Sequence, residues 1–265
     1  MDKKFSVNPY NGNNILINSD DIIDIMNKLN INDFKVNDIS KYQRAFVHKS
    51  YTRLDDYNKY KNINKSLELF ESSYEVLEFL GDSILGSVVS SYLYKRYHEI
   101  HNQNEGFLTK MKNNIVNGES LARLSNILNF NKFIIISKYI DDDCNGRDNM
   151  NILEDVLEAF IGAIFLDNNY YIVESFIINL IENNINFGEL IITDKNYKDQ
   201  LLRYYQNNYK ESPIYSNDYN PLNKTYTTIL KNNKTNSNII GYGNSKKKSE
   251  QDLSKKILIE LGVLN

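Results

Sequence analysis

The sequence predicts an all-α domain followed by a small α+β domain of order α-β-β-β-α. Up to about residue 186, apolar residues recur at helical spacing. Beyond Lys195, short runs alternating Thr, Tyr and Ile take over, as in half-buried strands. The charge changes sign at the same place. From Lys195 onward 12 Lys and Arg stand against 6 Asp and Glu, a net +6, whereas the preceding 194 residues hold 19 basic and 28 acidic residues, a net −9. The whole-chain value of −3 hides this division. We read residues 1–190 as one domain and 195–265 as the second, with Gly188–Lys195 a short linker.

Residues 1–20 are polar, with Gly and Pro, and read as a flexible, extended arm. A helix starts near Asp20 or Asp21, either of which can cap it, with Ile22, Ile25, Met26 and Leu29 on one face. Ser40–Tyr51 reads as another helix. Thr52–Ser73 is rich in Tyr, Asn and Lys and reads as an insertion, part helical around Leu67, Leu69 and Phe70. Glu75–Tyr97 is a long helix with Leu77, Leu80, Ile84, Leu85, Val88, Tyr92 and Leu93 facing inward. Gly81 and Gly86 each cost it roughly 1 kcal/mol against Ala, which points to close helix packing.

Thr109–Asn117 and Ser120–Leu128 are two more helices, and Tyr139–Asn149 is an acidic loop. Asn151–Asp167 is apolar on nearly every side and is therefore a core helix. Val173–Asn186 closes the domain. In the second domain Asn196–Gln206 is a helix, and Ile214–Tyr219, Thr225–Lys231 and Asn238–Tyr242 are strands, with a turn at Asn232–Asn236. Ser245 caps a last helix running to Leu261, before Gly262.

Acidic residues interrupt the two most apolar helices. Glu75, Glu78 and Asp82 lie at i, i+3 and i+7, near one face, and Asp155 and Glu158 share a face of the other helix. Carboxylates are almost never buried without a partner, and a hard divalent cation is the first candidate. A donor set without Cys or His disfavours zinc. Glu154 is read as pointing off this face.

Composition excludes several classes. The single Cys144 rules out an internal disulfide framework and has no metal-ligand spacing. The N-terminus has charge but no apolar core, so no signal peptide is read there. Ala159–Leu166, the longest apolar run, is too short to span a membrane. The expectation is a soluble intracellular, cytoplasmic protein with no membrane partner.

Four ordered blocks carry a resemblance: AFVHKSY (Ala45–Tyr51), YEVLEFLGDSILG (Tyr74–Gly86), EGFLTKMKNNIVNGESLARL (Glu105–Leu124) and NILEDVLEAFIGAIFLD (Asn151–Asp167). Together they resemble the ribonuclease III endonucleases, which implies the ribonuclease III-like helical fold. The resemblance implies that Glu78, Asp82, Asp155 and Glu158 are the catalytic metal ligands, with Mg²⁺ as cofactor and Mn²⁺ as a substitute. It further implies in-line, two-metal hydrolysis of double-stranded RNA by a homodimer, leaving 5′-phosphate and 3′-hydroxyl ends with short 3′ overhangs. Glu75, Glu105 and Lys112 match further motif positions and are secondary active-site candidates. His48 reads as a hydrogen-bonded helix residue.

The C-terminal order, with SKKKSEQDLSKKIL, resembles a double-stranded-RNA-binding domain. Lys246, Lys247 and Lys248 sit at a helix N-terminus, where the macrodipole favours acids, so a bound RNA phosphate would offset both. Three features depart from that domain's pattern: Arg203 for a usual Glu, NPLNK (Asn220–Lys224) for the usual loop, and Asp252 with Leu253 for alanines. Two rival readings are a non-cleaving double-stranded-RNA-binding protein and a scaffold within a larger ribonucleoprotein.

Overall fold

The computed structural model describes residues 7–62, 66–192, 196–235 and 237–264. Two compact units emerge, Met1–Phe187 and Gly188–Asn265. In chain order the helices of the first part are α1 (Ser19–Lys28), α2 (Ile39–Ala45), α3 (Glu75–Leu93), α4 (Glu105–Ile115) and α5 (Gly118–Ile127). They continue with α6 (Lys138–Asp142), α7 (Met150–Asp167) and α8 (Tyr170–Asn184), and α9 (Phe187–Ile192) begins at the last residue of the first unit and runs into the second.

Helix α7 is the axis of the first unit, buried on every side from Val156 to Ile164. It packs against α2, α3, α5 and α8. Phe160 stands among Tyr42, Phe46, Phe130 and Phe176, with ring centroids 4.8–6.0 Å away. At its end, the Asp167 carboxylate accepts the main-chain N–H groups of Asn37 and Asp38 and the Tyr42 hydroxyl. This ties the close of α7 to the start of α2.

Helix α3 runs on into a π-helical turn, Tyr94–Glu99. By length and composition Glu75–Glu99 could cross a membrane. Here it is a core helix, with Leu77, Ile84, Leu85, Val88, Val89 and Leu93 buried against the rest of the unit.

Several local expectations change. The cap of α1 is Asn18, and Asp21 closes a capping box from inside the first turn. The segment Ser40–Tyr51 is two pieces: α2 stops at Ala45, Val47 bridges Ile135, and a 3₁₀ turn covers Lys49–Tyr51. Within Thr52–Ser73 the residues Leu67, Leu69 and Phe70 lie in no helix, Phe70 bridging Thr52, and the helical piece is instead a 3₁₀ turn, Asp55–Tyr57. Leu69 joins Tyr51 and Tyr57 in a small apolar cluster. The acidic loop contains α6 and a 3₁₀ turn, Gly146–Asp148.

The flexible arm read at residues 1–20 is not loose over its described part; its first six residues lie outside the described ones. Asn11 and Asn14 donate to the Ile136 carbonyl, and Ile17 is buried. The reason is Arg147. Its guanidinium spends donors on Asp141, the Ile134 carbonyl and the Asn14 side chain, which pins this stretch of chain in place.

The second unit has α10 (Tyr197–Tyr209), then an antiparallel sheet of β1 (Tyr215–Asn220), β2 (Thr225–Leu230) and β3 (Gly241–Gly243), then α11 (Lys246–Glu260). Tyr215 faces Leu230 and Asn220 faces Thr225 across β1 and β2. Leu201, Tyr205, Leu230, Leu253, Ile257 and Leu258 form its core. The predicted turn at Asn232–Asn236 loses its last residue to the undescribed positions. A Cβ on Gly241 would stand 2.3 Å from the Ser249 carbonyl oxygen, so only glycine lets β3 lie on α11. Ser245 caps α11 as predicted, accepting the Lys248 N–H. Two departures have structural explanations here: Leu253 fills the core, and Asp252 accepts the Tyr242 N–H and pairs with Lys256.

Candidate active site

Two glycines set the site. A Cβ at Gly81 would fall 1.8 Å from the Glu158 carbonyl oxygen, and one at Gly162 would fall 2.4 Å from that of Leu77. Helices α3 and α7 therefore touch main chain to main chain. That approach puts Glu78, Asp82 and Asp155 within electrostatic reach of Glu158, and Asp155 within reach of Glu78.

The electrostatics register this gathering. Burial, then the charges of Asp82, Glu154, Glu78 and Asp155, push the Glu158 carboxyl up to about 8. Asp155 is raised by burial, opposed by a hydrogen bond from the Tyr74 hydroxyl at 2.9 Å. Glu78 is raised by burial and by Asp155. The side chains of Glu78, Asp82 and Glu158 make no hydrogen bond or ion pair among the described residues. Negative charge is concentrated here, offset in part by the charge of Lys49 on Glu78 and Asp155.

Two residues join the site that the sequence candidates do not include. Glu154 is part of the cluster, raised by burial, Asp155 and Asp82. Its spacing of four from Glu158 is the signal, since i and i+4 share a helix face. Its carboxylate rests on Gly118, where a Cβ would stand 2.4 Å away. Tyr74, buried just ahead of α3, is the other, and nothing in its spacing announces a role.

The secondary candidates are spread out. Glu75 is exposed and pairs with Lys49 at 3.2 Å, which lowers its carboxyl below the usual range. Glu105 opens α4, exposed, and accepts the Thr109 hydroxyl. Lys112 lies along Gly86, one turn beyond Asp82, its Nζ 3.6 Å from where a Cβ would be. Half-buried His48 accepts the Ser50 N–H at Nδ1 and its ring stands 5.9 Å from that of Tyr74. In the second unit Lys246, Lys247 and Lys248 are all exposed. Arg203 pairs with Asp199 within α10 at 2.9 Å.

Among the described residues no three His, Cys, Asp or Glu side chains are gathered closely enough to hold a metal ion between them. The donor chemistry nonetheless fits magnesium, which takes carboxylate oxygens, keeps several waters and needs few protein ligands. The acidic side chains lie on two core helices of an all-α scaffold.

Comparison with known proteins identifies the family. The Ribonuclease-III-like family model matches residues 38–185. A probable ribonuclease 3 of Acanthamoeba polyphaga mimivirus is 38% identical over 209 residues, covering 77% of this chain and 37% of that protein. Ribonuclease 3 of Leptospira interrogans is 30% identical over 226 residues, covering 84% of this chain and 85% of its own length. A solved nuclease domain of ribonuclease III from Campylobacter jejuni has a TM-score of 0.50 at 30% identity, covering 62% of this chain and 98% of that domain. The chain belongs to the ribonuclease III family.

Proposed function

We propose that this protein is a double-stranded-RNA endoribonuclease, dependent on magnesium with manganese as a substitute, and active as a homodimer. The observation that carries the reading is that the charges of Glu78, Asp82 and Asp155 all bear on Glu158, which is buried and makes no hydrogen bond or ion pair among the described residues. A protein that only bound RNA would gain nothing from that cost.

Glu78, Asp82, Asp155 and Glu158 would hold the divalent cations. Bound there, the cations would neutralise the phosphate and ease ionisation of the attacking water. The Tyr74 hydroxyl holds one oxygen of Asp155, and the other makes no hydrogen bond among the described residues. The close approaches at Gly81 and Gly162 fix the two acid-bearing backbones against each other, so the carboxylates are positioned before substrate arrives. In-line hydrolysis would leave 5′-phosphate and 3′-hydroxyl ends. The exposed Lys246, Lys247 and Lys248 would contact the RNA backbone, and the A-form groove with its 2′-hydroxyls would distinguish RNA from DNA.

One chain supplies one carboxylate cluster, and a duplex has two strands to cut. A two-fold dimer places two equivalent sites across the RNA and accounts for short 3′ overhangs. Val76 and Phe79, three apart on α3, are 67% and 77% exposed, an apolar pair suited to a self-complementary interface.

The test is incubation of labelled double-stranded RNA with and without magnesium. Cleavage by the wild type but not by Glu158→Gln supports the reading. Tight binding without cleavage would sink it in favour of a sequestering protein.

A further inference from the structure

A cavity of about 490 Å³ opens beside the carboxylates, with Asp155 on one wall and His48, Lys49, Cys144, Asn149 and Asn151 among its lining. Its size suits one nucleotide unit. Asp155 belongs to the cluster described above, and Lys49 acts on that cluster through its charge.

Lys49 has an unusual position. It is 63% exposed, its Nζ is held by Glu75 at 3.2 Å, and its charge also acts on Glu78 and Asp155. An exposed pair of this kind contributes roughly 0–1 kcal/mol to folding, so the lysine can leave Glu75 at little cost. The neighbouring amides are equipped for a polar ligand. Asn149 spends its side-chain oxygen on the N–H groups of Asn151 and Ile152, which leaves its NH₂ group available. The Asn151 side chain makes no hydrogen bond among the described residues. Among the described residues the lining thus offers the Lys49 cation and amide donors, with its one carboxylate, Asp155, at the end shared with the acidic cluster.

We infer that this cavity is a subsite for the RNA nucleotide next to the scissile phosphate, with Lys49 as the anchor for its phosphate. The inference rests on the proposed RNA cleavage. A strand whose scissile phosphate lies on the carboxylates must continue past Asp155, and the cavity begins there. In the free protein Glu75 holds the lysine; the nucleotide's phosphate takes it over, while Asn149 and Asn151 meet the sugar and its 2′-hydroxyl.

Two measurements test this, both on the full chain with a fluorescent RNA duplex and calcium in place of magnesium. In the first, affinity is titrated against salt. Withdrawing one cation from an RNA phosphate lowers the slope of log affinity against log salt by about 1. Lys49→Ala should lower it by that amount per protomer, Lys49→Arg should keep it, and Glu75→Gln should tighten binding by freeing the lysine. In the second, the single Cys144 is alkylated with a bulky maleimide, which fills the cavity. Alkylated wild type should bind several-fold more weakly than untreated, while treated and untreated Cys144→Ser should match each other. An unchanged slope in Lys49→Ala, or unchanged affinity after alkylation, overturns the inference. Failure of the untreated wild type to bind the duplex would instead sink the RNA-cleavage reading itself.

Discussion

Gly81 and Glu158 meet through their backbones: a Cβ on the glycine would stand 1.8 Å from the glutamate's carbonyl oxygen. Because the neighbour is main chain, no rotamer change can relieve the clash. Gly81→Ala should therefore separate α3 from α7 and cost roughly 3 kcal/mol or more, at the upper end of overpacking. Gly86→Ala meets only the flexible end of Lys112, at 3.6 Å, and should be neutral or up to about 1 kcal/mol stabilising. Thermal unfolding of the two variants checks this contrast.

Glu158 makes the cation-free protein sensitive to pH. Its carboxyl titrates from 4.5 in the unfolded chain to about 8 when folded. Between those values the folded state holds a proton that the unfolded chain has released, so stability falls as pH rises through that window. In magnesium-free buffer the wild type should melt at lower temperature at pH 8 than at pH 5.5. Glu158→Gln should flatten that slope. Magnesium at pH 8 should raise the wild-type melting temperature and move the variant much less.

The Tyr74 hydroxyl is the only hydrogen-bond donor to Asp155 among the described residues, at 2.9 Å. Tyr74→Phe keeps the ring and removes that donor, leaving the buried carboxylate freer to turn and harder to ionise. Groups that orient metal ligands typically contribute 10–100-fold in affinity or activity. The variant should need about 10-fold more magnesium for half-maximal cleavage, and calorimetric Mn²⁺ binding should weaken in parallel. Equal manganese affinity in the two proteins would remove Tyr74 from the site.

What the sequence makes legible follows the range of the forces involved. Helices α3 and α7 show themselves because their apolar spacing persists over four or five turns, and their acids stand out against it. The pattern at Leu67, Leu69 and Phe70 misleads because a short apolar run suits helix or strand alike, and the deciding partner, Thr52, is tertiary. The N-terminal segment misleads for a similar reason. Asn11 and Asn14 are fixed by a carbonyl more than 120 residues away, which no local pattern announces. Glu154 is within reach of sequence, since its i, i+4 relation to Glu158 is written there.

Phe79 places a large ring in solvent on a core helix, 77% exposed, with Val76 one turn earlier at 67%. If two copies bury this pair against each other, Phe79→Asp inserts a charge into an apolar interface. Sedimentation should then report a monomer, and duplex cleavage should fall sharply while the melting temperature holds. A dimer surviving Phe79→Asp would place the interface elsewhere.

Lys246, Lys247 and Lys248 offer a test in which folding and binding move in opposite directions. All three are exposed in the first turn of α11, and none forms an ion pair among the described residues. At a helix N-terminus each cation opposes the macrodipole, by typically 0.3–1 kcal/mol. Replacing all three by Gln should therefore stabilise the second unit slightly. If the lysines touch RNA phosphates, the same change should weaken binding about uniformly across sequences and lower the salt slope by up to about 3. A merely solvated basic face would show the gain in stability with no change in slope. Weaker binding accompanied by lower stability would mean that the lysines serve the fold, which the geometry of Ser245 capping α11 argues against.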